Sequence, residues 1–118
     1  MRLESRKYLH DIVQAVELLT RFTSEKNFAD YESDPMLRSA TERQFEIIGE
    51  ALAQLARTEA GLAEQVTDYR RIVAFRNILI HGYAQVDHRL VWDIVESKLP
   101  LLRAEVTELL AQKDPDPA

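Results

Sequence analysis

The chain has 118 residues, which is enough for one domain with a genuine core and too few for two. Apolar residues make up 46% and charged residues 30%, and no cysteine is present, so the composition excludes a disordered chain, disulfides, thiolate metal sites and a cysteine nucleophile. The net charge of −5 argues against broad, non-specific binding of nucleic acid.

The first predicted helix runs from about Leu3 to Ser24. Its apolar residues recur at three- and four-residue spacing, which places them on one buried stripe. These residues are Leu9, Ile12, Val13, Val16, Leu19 and Phe22. A loop is predicted through Asn27–Ser33, with Phe28 and Tyr31 available to hold it against the other helices.

A second long helix is predicted from Pro35 to about Thr58. Asp34 has the chemistry of an N-cap, and proline is well tolerated in the first turn that follows it. Gly61 is the predicted terminator just beyond this helix.

The second half of the chain predicts two more helical regions. The first is capped by Thr67 or Asp68 and stops near Gly82. Asp87 can cap the last helix, and Pro100 lies inside its pattern, where it should bend the helix or break it into two pieces.

Together these elements predict an all-α fold. We expect an up-and-down bundle of four to five helices over residues 1–112, followed by a disordered tail over residues 113–118. No apolar run approaches the roughly 20 residues of a membrane span. The start of the chain also lacks the apolar stretch of a signal peptide. We therefore expect a cytoplasmic protein with no membrane partner.

Basic charge is concentrated between Tyr69 and Arg89. This window holds four arginines and one acid, a local charge of +3, so the rest of the chain carries −8. A cationic site on an acidic body suits a small anion or one phosphate of a longer polymer. A chance cluster on a solvated face fits the same charges.

Few other residues could carry chemistry. The three histidines lack the spacing of helical metal motifs, and the chain has neither a Gly-rich phosphate loop nor a nucleophile elbow. We therefore expect no metal and no cofactor. The stretch that remains is Arg76-Asn77-Ile-Leu-Ile-His81-Gly82-Tyr83.

The arginine and the histidine of this stretch are five positions apart, which separates them by about 140° around a regular helix and about 7.5 Å along it. We expect Gly82 to take the left-handed conformation that ends a helix, so that His81 turns back towards Arg76. A guanidinium beside an imidazole is then a workable phosphodiester site, with Asn77 as a supporting polar group. Alternatively, His81 and Gly82 form only a helix C-terminus, and Tyr83 is a core aromatic.

The whole stretch resembles the Arg-x4-His-x-Tyr signature of the HEPN superfamily, in its HepT-like branch. Residues 41–52 resemble the second-helix pattern of that branch, and residues 86–95 with Leu99-Pro100 resemble its last-helix pattern. The resemblance spans nearly the whole chain.

This resemblance implies a helical homodimer in which two Arg/His motifs face a shared cleft. It implies a metal-independent ribonuclease that acts on RNA, with Arg76 and His81 as its catalytic residues. The protein would be the toxin of a two-gene, type VII-like toxin–antitoxin module. Its partner would be a minimal nucleotidyltransferase, the antitoxin, which silences the toxin by transferring AMP onto Tyr83.

Two other interpretations stay open. The protein could be a non-catalytic subunit of a two-component nucleotidyltransferase, in which Arg76 and His81 bind the phosphate of a nucleotide or substrate without cutting it. It could also be a plain dimeric helix bundle with no site.

Overall fold

The computed structural model describes residues 1–82 and 86–112, and within these ranges it contains helices and no strand. The helices are α1 (Leu3–Thr23), α2 (Phe28–Ser33), α3 (Pro35–Thr58), α4 (Ala60–Ala63), α5 (Tyr69–His81), α6 (His88–Ser97) and α7 (Leu99–Ala111). The all-α prediction is confirmed, and the five longest helices match the predicted number. The predicted tail, residues 113–118, lies outside the described residues.

The core lies between α1 and α3, which pack along each other at the centre of the bundle. Helix α5 packs on α3, and α7 packs on α1. The apolar stripe predicted for α1 supplies the fully buried Leu9, Ile12, Val16 and Leu19, and α3 contributes the fully buried Ile48, Leu52 and Leu55. Each such side chain contributes roughly 1.5 to 3 kcal/mol when it leaves water. Because α5 packs on α3, this pair of helices fixes the position of α5. None of the described helices combines the length and the apolar character needed to cross a bilayer.

Two of the predicted N-caps are confirmed. The Asp34 carboxylate accepts hydrogen bonds from two backbone N–H groups in the first turn of α3, at 3.0 and 3.1 Å. The Asp87 carboxylate does the same for α6, at 2.9 and 3.3 Å. Pro100 lies in the first turn of α7, so the predicted break in the last helix falls just before it, at Lys98.

The segment predicted as a loop is the short helix α2. Asn27 and Asp30 form a capping box, in which each side chain accepts a hydrogen bond of 2.9 Å from the backbone N–H of the other residue. Tyr31 is completely buried, as expected of a residue that holds this segment in place. The capping box and the buried Tyr31 therefore stabilise a helix in a segment too short for its apolar spacing to predict one.

Two predicted helix-end signals are wrong. Gly61 lies inside α4 and terminates nothing. Asp68 precedes α5 with a left-handed backbone (φ 58°), but its carboxylate accepts a hydrogen bond from Lys98 Nζ at 2.9 Å and does not cap the helix. The Thr67 hydroxyl donates to Glu105 at 2.7 Å. Both side chains contact residues in the last third of the chain. A local sequence pattern cannot predict such long-range contacts.

Candidate active site

Helix α5 carries the Arg-x4-His stretch and continues as one unbroken helix to His81. Gly82 has φ −109° and ψ 22°, so the expected left-handed conformation is wrong. Its N–H still donates to the Ile78 carbonyl, at 2.7 Å, which keeps this turn helical. A Cβ added at Gly82 would lie 2.8 Å from that oxygen. Glycine is therefore needed here for space, and not because the backbone is left-handed.

Arg76 and His81 consequently lie on different sides of α5. In a regular helix their side chains diverge by about 140°. Arg76 contacts α3, whereas His81 is exposed and forms no hydrogen bond or ion pair with any described residue. A single chain therefore does not bring the guanidinium and the imidazole to one phosphate.

The Arg76 side chain is held tightly against α3. A Cβ added at Gly49 would lie 2.3 Å from Arg76 Cβ and 2.8 Å from its Cγ, so the arginine stem occupies the space that glycine leaves. Nη2 lies 3.0 Å from Glu50 Oε2, and only 18% of the side chain is exposed. Nε is buried and donates to no residue within the described ranges. Helix α3 thus fixes both the stem and one end of the guanidinium.

Asn77 shares a face of α5 with His81, because residues four positions apart in a helix are neighbours. Both are exposed, as is Ile78 beside them. Asn77 can therefore support His81 more directly than Arg76. Tyr83, the predicted AMP acceptor, lies outside the described residues.

Two grooves flank α5. The mixed-charge groove, of about 580 Å³, lies beside the Glu50 carboxylate where α1 meets α3. Its polar lining comprises Lys7, Tyr8, Asp11, Arg43, Glu46, Glu50 and Gln54. The apolar groove, of about 340 Å³, lies between α5 and the α6–α7 segment. Its main lining residues are Phe45, Ile72, Phe75, Ile78, Leu90 and Ile94.

The basic window does not form one cationic cluster. The Arg70 guanidinium lies 4.8 Å from the ring centroid of Tyr69. Arg89 pairs with Asp93 at 3.2 Å and lies 4.7 Å from the ring centroid of Phe28. Since Arg76 is paired with Glu50, three of the four arginines have local partners, and the net charge of the window does not by itself mark a site.

His88, the second histidine of the window, belongs to a different cluster. Its ring meets that of Tyr31 edge to face, with centroids 6.3 Å apart. Burial raises the pKa of the Tyr31 phenol above its usual range, which keeps that group neutral. Burial also raises the pKa of the nearby Glu42 carboxyl, while the charge of His88 acts in the opposite direction. This cluster joins α2 to α6 and lies apart from the Arg76–Glu50 pair.

Sequence analysis missed Gly49 and Glu50 as part of the site. Both occur within the second-helix pattern, but nothing in their local spacing links them to Arg76, which is 26 positions away from Glu50. Within the described ranges, no three histidine, aspartate or glutamate side chains come close enough together to hold a metal ion.

Comparison with known proteins assigns residues 12–109 to the family described as ribonuclease HepT-like. The chain is 34% identical over 109 residues to a protein of Thermococcus cleftensis named as a probable ribonuclease HepT, covering 92% of this chain and 98% of that one. It is 33% identical over 108 residues to a candidate RNase of Caldanaerobacter subterraneus, covering 92% and 96%.

A longer protein of Methanocaldococcus jannaschii, named as a gamma-glutamylcyclotransferase and candidate RNase, is 30% identical over 114 residues. The match covers 97% of this chain and 51% of that protein. No solved structure matches the chain.

Proposed function

Because this chain belongs to the ribonuclease HepT-like family of the HEPN superfamily, we propose that it is a metal-independent endoribonuclease with Arg76 and His81 as its catalytic residues. The observation that supports this most directly is that α5 carries both groups of the family motif, a guanidinium held against α3 and an exposed imidazole. An imidazole that transfers protons and a guanidinium that stabilises phosphoryl charge can together cleave RNA without metal.

The reaction follows from the chemistry of RNA itself. The ribose 2′-oxygen attacks the adjacent phosphorus, the bond from phosphorus to the 5′-oxygen breaks, and a cyclic phosphate forms. His81 removes the 2′-OH proton or protonates the leaving 5′-oxygen, a role typically worth about 10²- to 10⁴-fold in rate. Arg76 neutralises the charge that builds up on the phosphoryl oxygens. Asn77 orients the imidazole beside it.

A homodimer resolves the separation of these two groups within one chain. We propose that two copies form a shared cleft in which both Arg/His motifs face the RNA. The exposed face of α5 and the adjoining apolar groove support this arrangement, because 50% of Ile78 and 42% of Leu90 are exposed there. Large apolar side chains on a rim of this kind are typical of surfaces that another protein covers.

The nuclease proposal is tested by incubating purified protein with a single-stranded RNA in EDTA. Cleavage should persist, yield cyclic or 3′-phosphate ends, and leave an all-deoxy strand intact because DNA lacks the 2′-OH. Arg76→Ala and His81→Ala should each lower the rate by about 10²-fold or more, and Asn77→Ala by less. Equal cleavage of the all-deoxy strand, or full activity of both variants, would contradict the mechanism.

We also propose that the protein is the toxin of a toxin–antitoxin pair and that a nucleotidyltransferase antitoxin transfers AMP to Tyr83. The AMP would add bulk and negative charge two residues from His81 and would compete with RNA phosphate for Arg76. Intact-mass measurement after co-expression with a minimal nucleotidyltransferase of the antitoxin type should give one added AMP on the wild type and none on Tyr83→Phe. An unmodified wild type would count against this regulation.

A second candidate function is favoured by the separation of Arg76 from His81 in a single chain. The protein could be a non-catalytic subunit that binds nucleotide phosphate for a nucleotidyltransferase, which needs no convergence of the two groups. Its signature is ATP-dependent association with that partner by a protein that leaves RNA uncut.

A further inference from the structure

The Glu50–Arg76 ion pair joins α3 to α5 at the proposed catalytic arginine. Glu50 Oε2 lies 3.0 Å from Arg76 Nη2, and 54% of the glutamate side chain is exposed against 18% of the arginine. The Arg76 stem is already fixed by its packing on Gly49. The carboxylate therefore controls the one part of the arginine that packing leaves free, which is the end of the guanidinium.

A guanidinium can bind an anion through two parallel hydrogen bonds on either of two edges. One edge comprises Nε and Nη2, and burial of Nε closes it to a ligand from solvent. The other edge comprises Nη1 and Nη2. A phosphate that binds Arg76 must use this second edge, where Nη2 already has Glu50 as its partner.

We propose that Glu50 is a positioning residue for Arg76, an inference that rests on the proposed nuclease function. Through its ion pair with Nη2, the carboxylate holds the guanidinium plane so that the Nη1–Nη2 edge meets the phosphate. Its negative charge lies close to the same phosphate and repels it. Glu50 thus favours turnover through orientation and weakens RNA binding through charge.

The chain offers a matched control on the same helix. Glu46 lies one turn earlier in α3 and lines the same mixed-charge groove. Its carboxylate pairs with Arg43, at 3.7 Å, and not with Arg76. Glu46→Ala therefore removes the same charge from the groove while leaving the arginine in place.

The test compares kcat and KM for RNA cleavage by Glu50→Ala, Glu50→Gln, Glu46→Ala and the wild type. Glu50→Ala should lower kcat about tenfold through lost orientation and lower KM about threefold through lost repulsion. Glu50→Gln keeps a neutral acceptor, so it should restore kcat to within about threefold of the wild type and keep the lower KM. Glu46→Ala should change kcat by less than about twofold. A merely structural role would lower the apparent kcat of both Glu50 variants without lowering KM, and that result would overturn the proposal.

A second readout separates this inference from the nuclease proposal. The Nη2 NMR signal of Arg76, identified by its loss in Arg76→Lys, should exchange its protons with water about tenfold faster in Glu50→Ala, because the ion pair no longer holds that end of the guanidinium. Glu46→Ala should leave the exchange rate unchanged. If the wild type does not cut RNA, the nuclease proposal fails while the exchange rate still tests the positioning of Arg76. Unchanged exchange in Glu50→Ala would overturn the inference whether or not RNA is cut.

Discussion

At the scale of single residues, Gly49 sets how closely α5 approaches α3. The space that its missing side chain leaves is filled by the stem of Arg76, since an added Cβ would come within 2.3 Å of the arginine Cβ. Helix propensity alone would favour alanine in the middle of α3 by about 1 kcal/mol. Glycine is accommodated here despite that preference because α5 packs closely against α3 at the proposed catalytic arginine.

Gly49→Ala is therefore expected to destabilise the fold by about 1 to 3 kcal/mol through overpacking. Gly61→Ala is the control, because a Cβ at that position meets nothing within 4 Å. Since Gly61 lies in a helical segment without positive φ, its substitution should stabilise the fold by about 0.4 to 1 kcal/mol. Urea unfolding of both variants measures the difference. Equal free energies of unfolding would refute the close contact at Gly49.

Sequence reasoning at this scale identifies residue types better than their partners. The spacing of Arg76 and His81 on a helix is predictable, and so is their failure to converge if the helix continues. The backbone conformation of Gly82 is not predictable from the sequence, because the hydrogen bond from its N–H to the Ile78 carbonyl keeps it in the helical turn. The role of Glu50 is hidden for a similar reason, since the contact between α3 and α5 exists only after the bundle has packed.

At the scale of elements, the long helices are predictable from apolar spacing, whereas α2 and α4 are not. These two have six and four residues, and helices shorter than about 12 residues are marginal on their own. The capping box and the buried ring of Tyr31 make α2 helical. Helices this short contain too few residues to show a periodic apolar pattern in the sequence.

The exposed face of α5 gives a prediction about assembly. If this face is the dimer interface, Ile78→Glu should give a monomer and abolish RNA cleavage, because a buried unpaired charge costs several kcal/mol or more at an apolar contact. Leu101→Glu on α7 is the matched control, since 43% of Leu101 is exposed against 50% of Ile78. Size-exclusion chromatography with light scattering reports the mass. A wild type that is monomeric while cutting RNA would contradict the shared cleft.

At the scale of the whole molecule, folding lowers the pKa of some carboxyl groups and raises that of another. A backbone hydrogen bond from Arg2 lowers the pKa of the Glu59 carboxyl, and the hydrogen bond from Lys98 lowers that of Asp68. Both contacts stabilise the fold at neutral pH, and this contribution is lost as the pH falls through the lowered folded-state pKa values. Glu42 differs because burial raises its pKa, so the folded state binds its proton more tightly than the unfolded state.

The charged form of Glu42 therefore opposes folding. Around it, Glu46 raises its pKa further, while His88 and Arg38 partly offset the effect. Glu42→Gln should stabilise the protein at pH 7, and the gain should shrink as the pH falls through the raised folded-state pKa. It should vanish below the unfolded value of about 4.3, where the wild-type carboxyl is protonated in both states. Thermal unfolding across this pH range measures the effect, with a substitution of the exposed Glu32 of α2, Glu32→Gln, as the control. A gain that stays constant with pH would contradict it.

The divergence of Arg76 and His81 along the unbroken α5 also affects how activity depends on the amount of protein in the cell. In the proposed shared cleft, each newly synthesised chain is inert until it meets a second one. At copy numbers well below the dissociation constant of the pair, the rate of RNA cleavage would then rise with the square of expression level. Such a protein would have a built-in threshold, below which leaky expression is harmless to the cell.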